Sequence, residues 1–353
     1  MARSPSATPC PIVIAHRGAS GYLPEHTLAA YALAIGQGAD FIEPDVVPTR
    51  DGVLVARHDN ELSATTDVAA RGEFADRRCR KRIDGVEIDG WFTEDFSLAE
   101  IRRLRARERL PALRPGSARE DGRHGVPTLA EVVALAAAAP RPVGVYPEIK
   151  HPTWFATEGT RLDGSPIRCD PGLRLVETLL AAGFTDPRRV FVQSFEPASL
   201  RALREALMPR AGLALPLVQL IGGQATEAPW DVAWHRARGD DLRAIFGADA
   251  PFADDGGPTR FGDLVAPAAL RWLRGFVDGI GPSLADLPAS GGVPPWLRDA
   301  RALGLAVHAY TLRAEAGGVA EAARLFAMGI DGAFFDQPDL GVAARDAFVA
   351  ARR

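Results

Sequence analysis

Two carboxylates stand two residues apart in the otherwise apolar segment Phe41-Ile42-Glu43-Pro44-Asp45-Val46-Val47. Residues at that spacing in an extended strand point to one face, so Glu43 and Asp45 are brought close together. Such a pair repels and is costly to desolvate unless a cation lies between its members. A hard divalent ion, Ca²⁺ or Mg²⁺, is the simplest partner for an all-oxygen donor set. An ion pair with arginine, or an outward-facing strand, is the plainer reading. Pro44 and Pro48 each lack a ladder donor, which predicts a bulge or a strand end here. The arrangement recurs at Val145-Tyr146-Pro147-Glu148-Ile149-Lys150. There Glu148 offers a third carboxylate to the same ion and Lys150 offers an ammonium to a phosphate. The plainer alternative is a surface Glu–Lys pair, which is worth little.

His16-Arg17 directly follows an apolar run at 12–15, and His58-Asp59 follows another at 53–56 after the turn Arg50-Asp51-Gly52. Together the two histidines are candidates for acid–base work near neutral pH. Gln193 and Phe195 alternate at the end of a third run, where they could line a substrate pocket. Ser194 between them lacks the Gly-x-Ser-x-Gly elbow of a nucleophile. The remaining histidines, His26, His124, His151, His235 and His308, have no comparable carboxylate setting and are expected to be solvated or packed. No glycine-rich nucleotide fingerprint or Walker sequence is present.

Short apolar runs at 12–15, 41–47, 143–149, 190–193, 213–220, 276–280, 306–310 and 332–335 alternate with helical patterns at 25–37, 128–138, 172–182, 198–206, 262–274, 295–303 and 315–328. The alternation implies parallel β/α units. About eight strands favour an α/β fold of the closed (β/α)8 TIM-barrel type, with the candidate residues at its C-terminal rim. Residues 59–127, charged and Arg-rich, and 222–260, rich in Gly, Pro and Asp, read as insertions after the second and fifth strands. All 353 residues are expected to form one domain. The net charge of −4 and the absence of basic runs argue against nucleic-acid binding. No apolar stretch is long enough for a transmembrane segment. Cys10, Cys79 and Cys169 are too few and too scattered for a zinc knuckle or a disulfide framework. The first eleven residues lack an apolar core, so a cytoplasmic location is expected, or a periplasmic or secreted one if a leader has been trimmed.

The stretch from His16 to Thr27 (HRGASGYLPEHT) closely resembles the opening motif of the glycerophosphodiester phosphodiesterase family. Glu43-Pro44-Asp45, His58-Asp59, Tyr146-Pro147-Glu148-Ile149-Lys150 and the segment from Asp331 to Asp339 resemble its later motifs, in the expected order. The Tyr-Pro-Glu-Ile-Lys form is most similar to the bacterial, periplasmic-type branch. The resemblance implies a TIM barrel with an insertion after the second strand. It implies a divalent metal, Ca²⁺ ahead of Mg²⁺, on Glu43, Asp45 and Glu148. It makes His16 and His58 the acid–base pair and places Arg17, with Lys150 nearby, on the phosphate. Gln193 and Phe195 fall at pocket positions, and Glu25 orients a histidine or Arg17. The implied reaction is hydrolysis of a small-molecule glycerophosphodiester to an alcohol and sn-glycerol 3-phosphate, with the neighbouring glycerol hydroxyl attacking first. A lysophospholipase D-like activity on lipid head groups and a non-catalytic phosphodiester-binding barrel are the alternatives. Two positions depart from the family pattern. His26 stands where Asn is common, and His308-Ala309-Tyr310-Thr311 replaces a more usual Trp-Thr.

Overall fold

The computed structural model describes residues 10–222, 228–252, 259–289 and 292–352. Its core is a parallel barrel of eight strands. The first is Ile12–His16. The second runs as Phe41–Glu43 and resumes as Asp45–Pro48, and the third runs as Gly144–Val145 and resumes as Glu148–Ile149. Val192–Ser194, Leu217–Ile221, Gly279–Pro282, Ala306–Leu312 and Gly332–Phe335 complete the ring. Each strand pairs with the next, and the eighth returns to the first through Ile12↔Gly332 and its successors. Closure leaves no exposed sheet edge in the ring.

The second and third strands are interrupted at the same level, by Pro44 in one and by Tyr146-Pro147 in the other. Their pairing survives the break: Tyr146 N–H donates to Ile42 O and Glu148 N–H to Pro44 O, each at 2.9 Å. The expected bulge at Pro44 is therefore an interruption shared by two neighbours. Above it, Asp45 and Glu148 lie in register.

Several helices begin with proline in the first turn, among them Pro171–Ala181, Pro295–Ala302 and Pro338–Ala350. There a missing N–H costs nothing. Thr27 and Thr128 cap the helices Leu28–Gly36 and Leu129–Ala137 with their side-chain oxygens. The helices pack an apolar layer around the barrel. Inside the barrel, Ile14, Phe41, Tyr146, Val218 and Phe334 form a plug below the polar rim. His308 is packed there as expected, its Nδ1 2.9 Å from the Tyr146 hydroxyl.

Residues 59–127 leave the barrel after the hairpin strand Leu54–Ala56 and build a second apolar cluster around Phe74, Phe92 and Phe96, shared with Val47, Val55, Trp154, Phe155 and Ile167. Residues 222–260 follow the fifth strand and carry the helices Trp230–Arg238 and Leu242–Phe246. Residues 223–227 and 253–258 of that stretch lie outside the described residues. The fifth strand starts at Leu217 rather than 213. Pro216 offers no N–H to a ladder, although its carbonyl still accepts from Val192. The sixth starts at Gly279 rather than 276, because Phe276 and Val277 still belong to the helix end, bonded to Leu273 O.

The plug tolerates no added volume at Gly144. A Cβ there would lie 2.1 Å from the Phe41 ring and 2.9 Å from Arg189 O. Gly144→Ala is expected to destabilise the protein by about 1–3 kcal/mol, read as a lower denaturation midpoint at unchanged slope.

Candidate active site

Glu43, Asp45 and Glu148 come together at the C-terminal rim, with a ligand oxygen of each within 4.8 Å of the others. All three are buried. Burial, followed by the neighbouring Asp45 and Glu148, holds the Glu43 carboxyl well above the usual range. Glu148 is pushed up to about 8, by burial first and Asp45 next, against the opposing pull of Lys150. Burial would also raise Asp45, yet Lys150, the His26 hydrogen bond and Arg17 hold it well below the usual range. With no cation between them, three such groups do not all ionise.

Polar groups crowd around this triad. Arg17 N–H donates to Glu43 Oε2 at 2.8 Å, and Arg17 Nε lies 3.3 Å from Asp45 Oδ2. Lys150 Nζ donates to Glu148 Oε1 at 2.8 Å. Gln193 Nε2 reaches Glu43 Oε1 at 3.4 Å, while its own Oε1 is buried without a hydrogen-bond partner. Three clustered hard carboxylates, two of them lining a cavity beside an orphaned amide oxygen, fit a hard divalent cation.

Both rim histidines are held in the same way. His16 Nδ1 lies 2.6 Å from Asp336 Oδ1, and His58 Nδ1 lies 2.7 Å from Asp59 Oδ1. A carboxylate on Nδ1 fixes the proton there and leaves Nε2 as the basic nitrogen. Lys150 Nζ sits 3.3 Å from His58 Nε2. Burial, then Arg17 and Lys150, lowers His58 to about 3 against the pull of Asp59. His16 is likewise lowered, by burial and then by Arg17. Both imidazoles are thus neutral beside the cationic groups, and an arriving anion opposes that effect.

Each aspartate is itself clamped by an arginine from the segment 59–127. Arg114 Nη2 lies 2.5 Å from Asp336 Oδ2 and its Nη1 donates to Ser20 O. Arg109 donates to Glu25 through both Nε and Nη2, at 2.9 and 2.8 Å, and to Asp59 through Nη1 at 3.1 Å. Glu25 also meets Arg17 Nη1 at 3.3 Å. Arg17 and His26 adopt left-handed backbone conformations, with φ of 59° and 60°, and His26 N–H donates to Arg17 O. Backbone strain of this kind, about 1–3 kcal/mol per residue, collects at functional sites.

A cavity of about 310 Å³ lies above these groups. It is lined by His16, Arg17, Glu43, His58, Glu148, Lys150, Gln193 and Phe195, so eight of the ten residues singled out in the sequence face one space. Asp45 and Glu25 lie behind it. His26 corrects an expectation. It is no bystander, for its Nε2 is 2.9 Å from Asp45 Oδ2 and its Nδ1 2.7 Å from the Tyr31 hydroxyl. Its place beside Glu25 in the opening motif was the signal. His151 and His235 also bond aspartates, Asp84 and Asp240. Asp336, Arg109 and Arg114 had no assigned role from sequence. Asp336 lay within the last motif, whereas the two arginines were hidden in an Arg-rich stretch.

A family model described as the glycerophosphoryl diester phosphodiesterase family matches residues 16–340. A glycerophosphodiester phosphodiesterase of Arabidopsis thaliana is 39% identical over 206 residues, covering 56% of this chain and 54% of that protein. The chain thus spans about half the length of that relative. One from Haemophilus influenzae is 29% identical, over 94% of this chain and 88% of its own. Among solved structures, a putative glycerophosphoryl diester phosphodiesterase of Silicibacter pomeroyi superposes with a TM-score of 0.65 at 20% identity, covering 97% and 95% of the two chains. A phosphodiesterase of Oleispira antarctica, solved with the product sn-glycerol-3-phosphate, gives 0.58 at 21% identity, covering 96% and 97%. At that identity the two structures establish the fold, a TIM barrel.

The clamp on Asp336 has a measurable weight. Arg114→Ala removes its shortest charged partner while Arg313 Nε remains at 3.0 Å. The expected loss is about 2–3 kcal/mol by chemical denaturation. Arg114→Lys should recover only part of it, since an ammonium cannot reproduce the fork.

Proposed function

The chain belongs to the glycerophosphoryl diester phosphodiesterase family, and from that premise we propose that it hydrolyses glycerophosphodiesters to an alcohol and sn-glycerol 3-phosphate. The observation that carries the reading is the pair of histidines, each fixed through Nδ1 by an aspartate, on one cavity with three clustered carboxylates. The substrate is a small-molecule diester, and the whole chain acts as one domain.

Glu43, Asp45 and Glu148 hold the divalent cation, Ca²⁺ in preference to Mg²⁺. When bound, it offsets charge on the non-bridging phosphoryl oxygens. Arg17 and Lys150, with a guanidinium and an ammonium already at the triad, add positive charge on the same oxygens. Burial lowers both histidines first, and a phosphate anion counters only the further lowering by Arg17 and, at His58, Lys150. One histidine then accepts the proton of the attacking glycerol hydroxyl through Nε2, while the other, protonated, gives one to the departing alkoxide; with the two roles exchanged, water then opens the cyclic phosphate to sn-glycerol 3-phosphate. Asp336 and Asp59 stabilise the imidazolium in either role. Glu25 and His26 orient Arg17 and Asp45, and Gln193 and Phe195 border the substrate.

His16→Ala and His58→Ala should each lower kcat by about a hundredfold or more while thermal stability stays near that of the parent. Turnover close to the parent rate in either would refute its role. Metal binding is read separately, without turnover. Ca²⁺ should raise the melting temperature of the parent protein, and Glu43→Gln should abolish the shift. A shift that persists in Glu43→Gln places the ion elsewhere.

A further inference from the structure

Arg109 does not line the catalytic cavity, yet every nitrogen of its guanidinium is engaged by a group that stands behind it. Nε and Nη2 fork onto the two oxygens of Glu25 at 2.9 and 2.8 Å, and Nη1 donates to Asp59 Oδ2 at 3.1 Å. Glu25 in turn meets Arg17 Nη1, and Asp59 Oδ1 lies 2.7 Å from His58 Nδ1. One planar cation therefore joins the arm that faces a phosphate to the arm that moves a proton. Among the described residues, no other side chain bonds both Glu25 and Asp59.

The backbone on either side of Arg109 is pinned. Buried Glu108 accepts from Leu110 N–H at 2.9 Å and from the Ser117 hydroxyl at 2.5 Å, while its own N–H donates to Asp121 Oδ1 at 2.7 Å. Arg107 N–H donates to Thr65 O at 2.9 Å and Arg114 N–H to Leu110 O at 2.8 Å. The guanidinium is thus carried on a fixed turn. The Glu25 side chain is only 9% exposed, so its pairing is screened far less than a surface ion pair.

The distances show which cation Glu25 prefers. A bidentate, charge-assisted fork is the strongest pairing a carboxylate makes with arginine, and Arg109 has it. Arg17 stands farther off, at 3.3 Å from Glu25 and from Asp45, and its buried Nε makes no hydrogen bond. Donors on Arg17 are thereby left for an arriving anion. With Arg109 removed, Glu25 would have Arg17 alone to compensate its charge, and that pair would close at the expense of the phosphate. Asp59, about a third exposed, would keep only His58 and could turn towards water, taking the orientation of the imidazole with it.

Resting on the phosphodiesterase reading above, we infer that Arg109 is a positioning residue for both arms of the site. Through Glu25 it keeps Arg17 available to the phosphate, and through Asp59 it aims His58 Nε2 at the cavity. The segment 59–127 then shapes the reaction without touching the substrate.

The test is a pair of double-mutant cycles on the Ca²⁺-loaded protein, read as kcat and KM separately on one glycerophosphodiester. Arg109→Met keeps the bulk and removes the charge. It should lower kcat and raise KM, each by about tenfold, with a melting temperature near that of the parent. In an Asp59→Asn background the same change should still raise KM but add little to the loss of kcat. In a Glu25→Gln background the pattern should reverse. Arg109→Lys should recover only part of either constant, because one ammonium cannot hold two carboxylates in the fork geometry. If Arg109→Met fails to fold, the cycles are run with Arg109→Lys and the same pattern decides. Parent-like constants in the single variant, losses that multiply in full in both backgrounds, or complete recovery by lysine overturn the inference and leave the reaction standing. Absence of turnover by the parent overturns the reaction, and the inference falls with it.

Discussion

Three carboxyl groups buried together at the barrel mouth are the constraint from which the rest of the site follows. Glu43 and Asp45 share a face because they are two apart on one strand, and Glu148 joins them because its strand lies in register beside theirs. Prolines interrupt both strands just there, so the backbone departs from a regular ladder without losing its neighbour-to-neighbour bonds. Such a cluster is unfavourable by itself. Arg17, Lys150 and His26 stand against it, and the space above is left to a cation and an anion together. Positive groups that steady the triad are the same ones that would meet a phosphodiester.

The second layer of organisation comes from outside the barrel. The segment 59–127 packs into an apolar cluster that it shares with Val47, Val55, Trp154, Phe155 and Ile167, and it carries Arg109 and Arg114. Through them one segment grips the carboxylates behind both His16 and His58. A loop without a core could not hold two guanidinium groups to this geometry, given the side-chain entropy each must lose. The same segment also touches the second insertion, where Gly85 lies against the Trp230 indole.

The legible part of the site was the part encoded at short range. Glu43 with Asp45, Glu148 with Lys150, and His58 with Asp59 each lie within two residues of their partner, and strand periodicity predicts that the first two pairs each share a face. The barrel was legible for the same reason, since alternating apolar runs and helical patterns are local signals. Asp336 lies 320 residues from His16, and Arg109 lies 84 from Glu25. No local pattern specifies those pairings, and in a chain with so many arginines the composition singles out none. His26 was misjudged because its carboxylate partner, Asp45, stands on a different element. Strand limits drifted where an apolar run continued through unpaired chain, as before Leu217, since hydrophobicity reports burial rather than pairing.

The account stands on metal, carboxylates and histidines acting together on a phosphodiester. The most direct measurement follows release of glycerol 3-phosphate from a glycerophosphodiester by the metal-stripped protein, before and after Ca²⁺ is restored. The account predicts no product from the stripped protein, product on addition of Ca²⁺, and loss of product again with excess chelator. Release that proceeds equally in chelator would contradict the role given to Glu43, Asp45 and Glu148. Absence of product with the ion demonstrably bound would contradict the reaction.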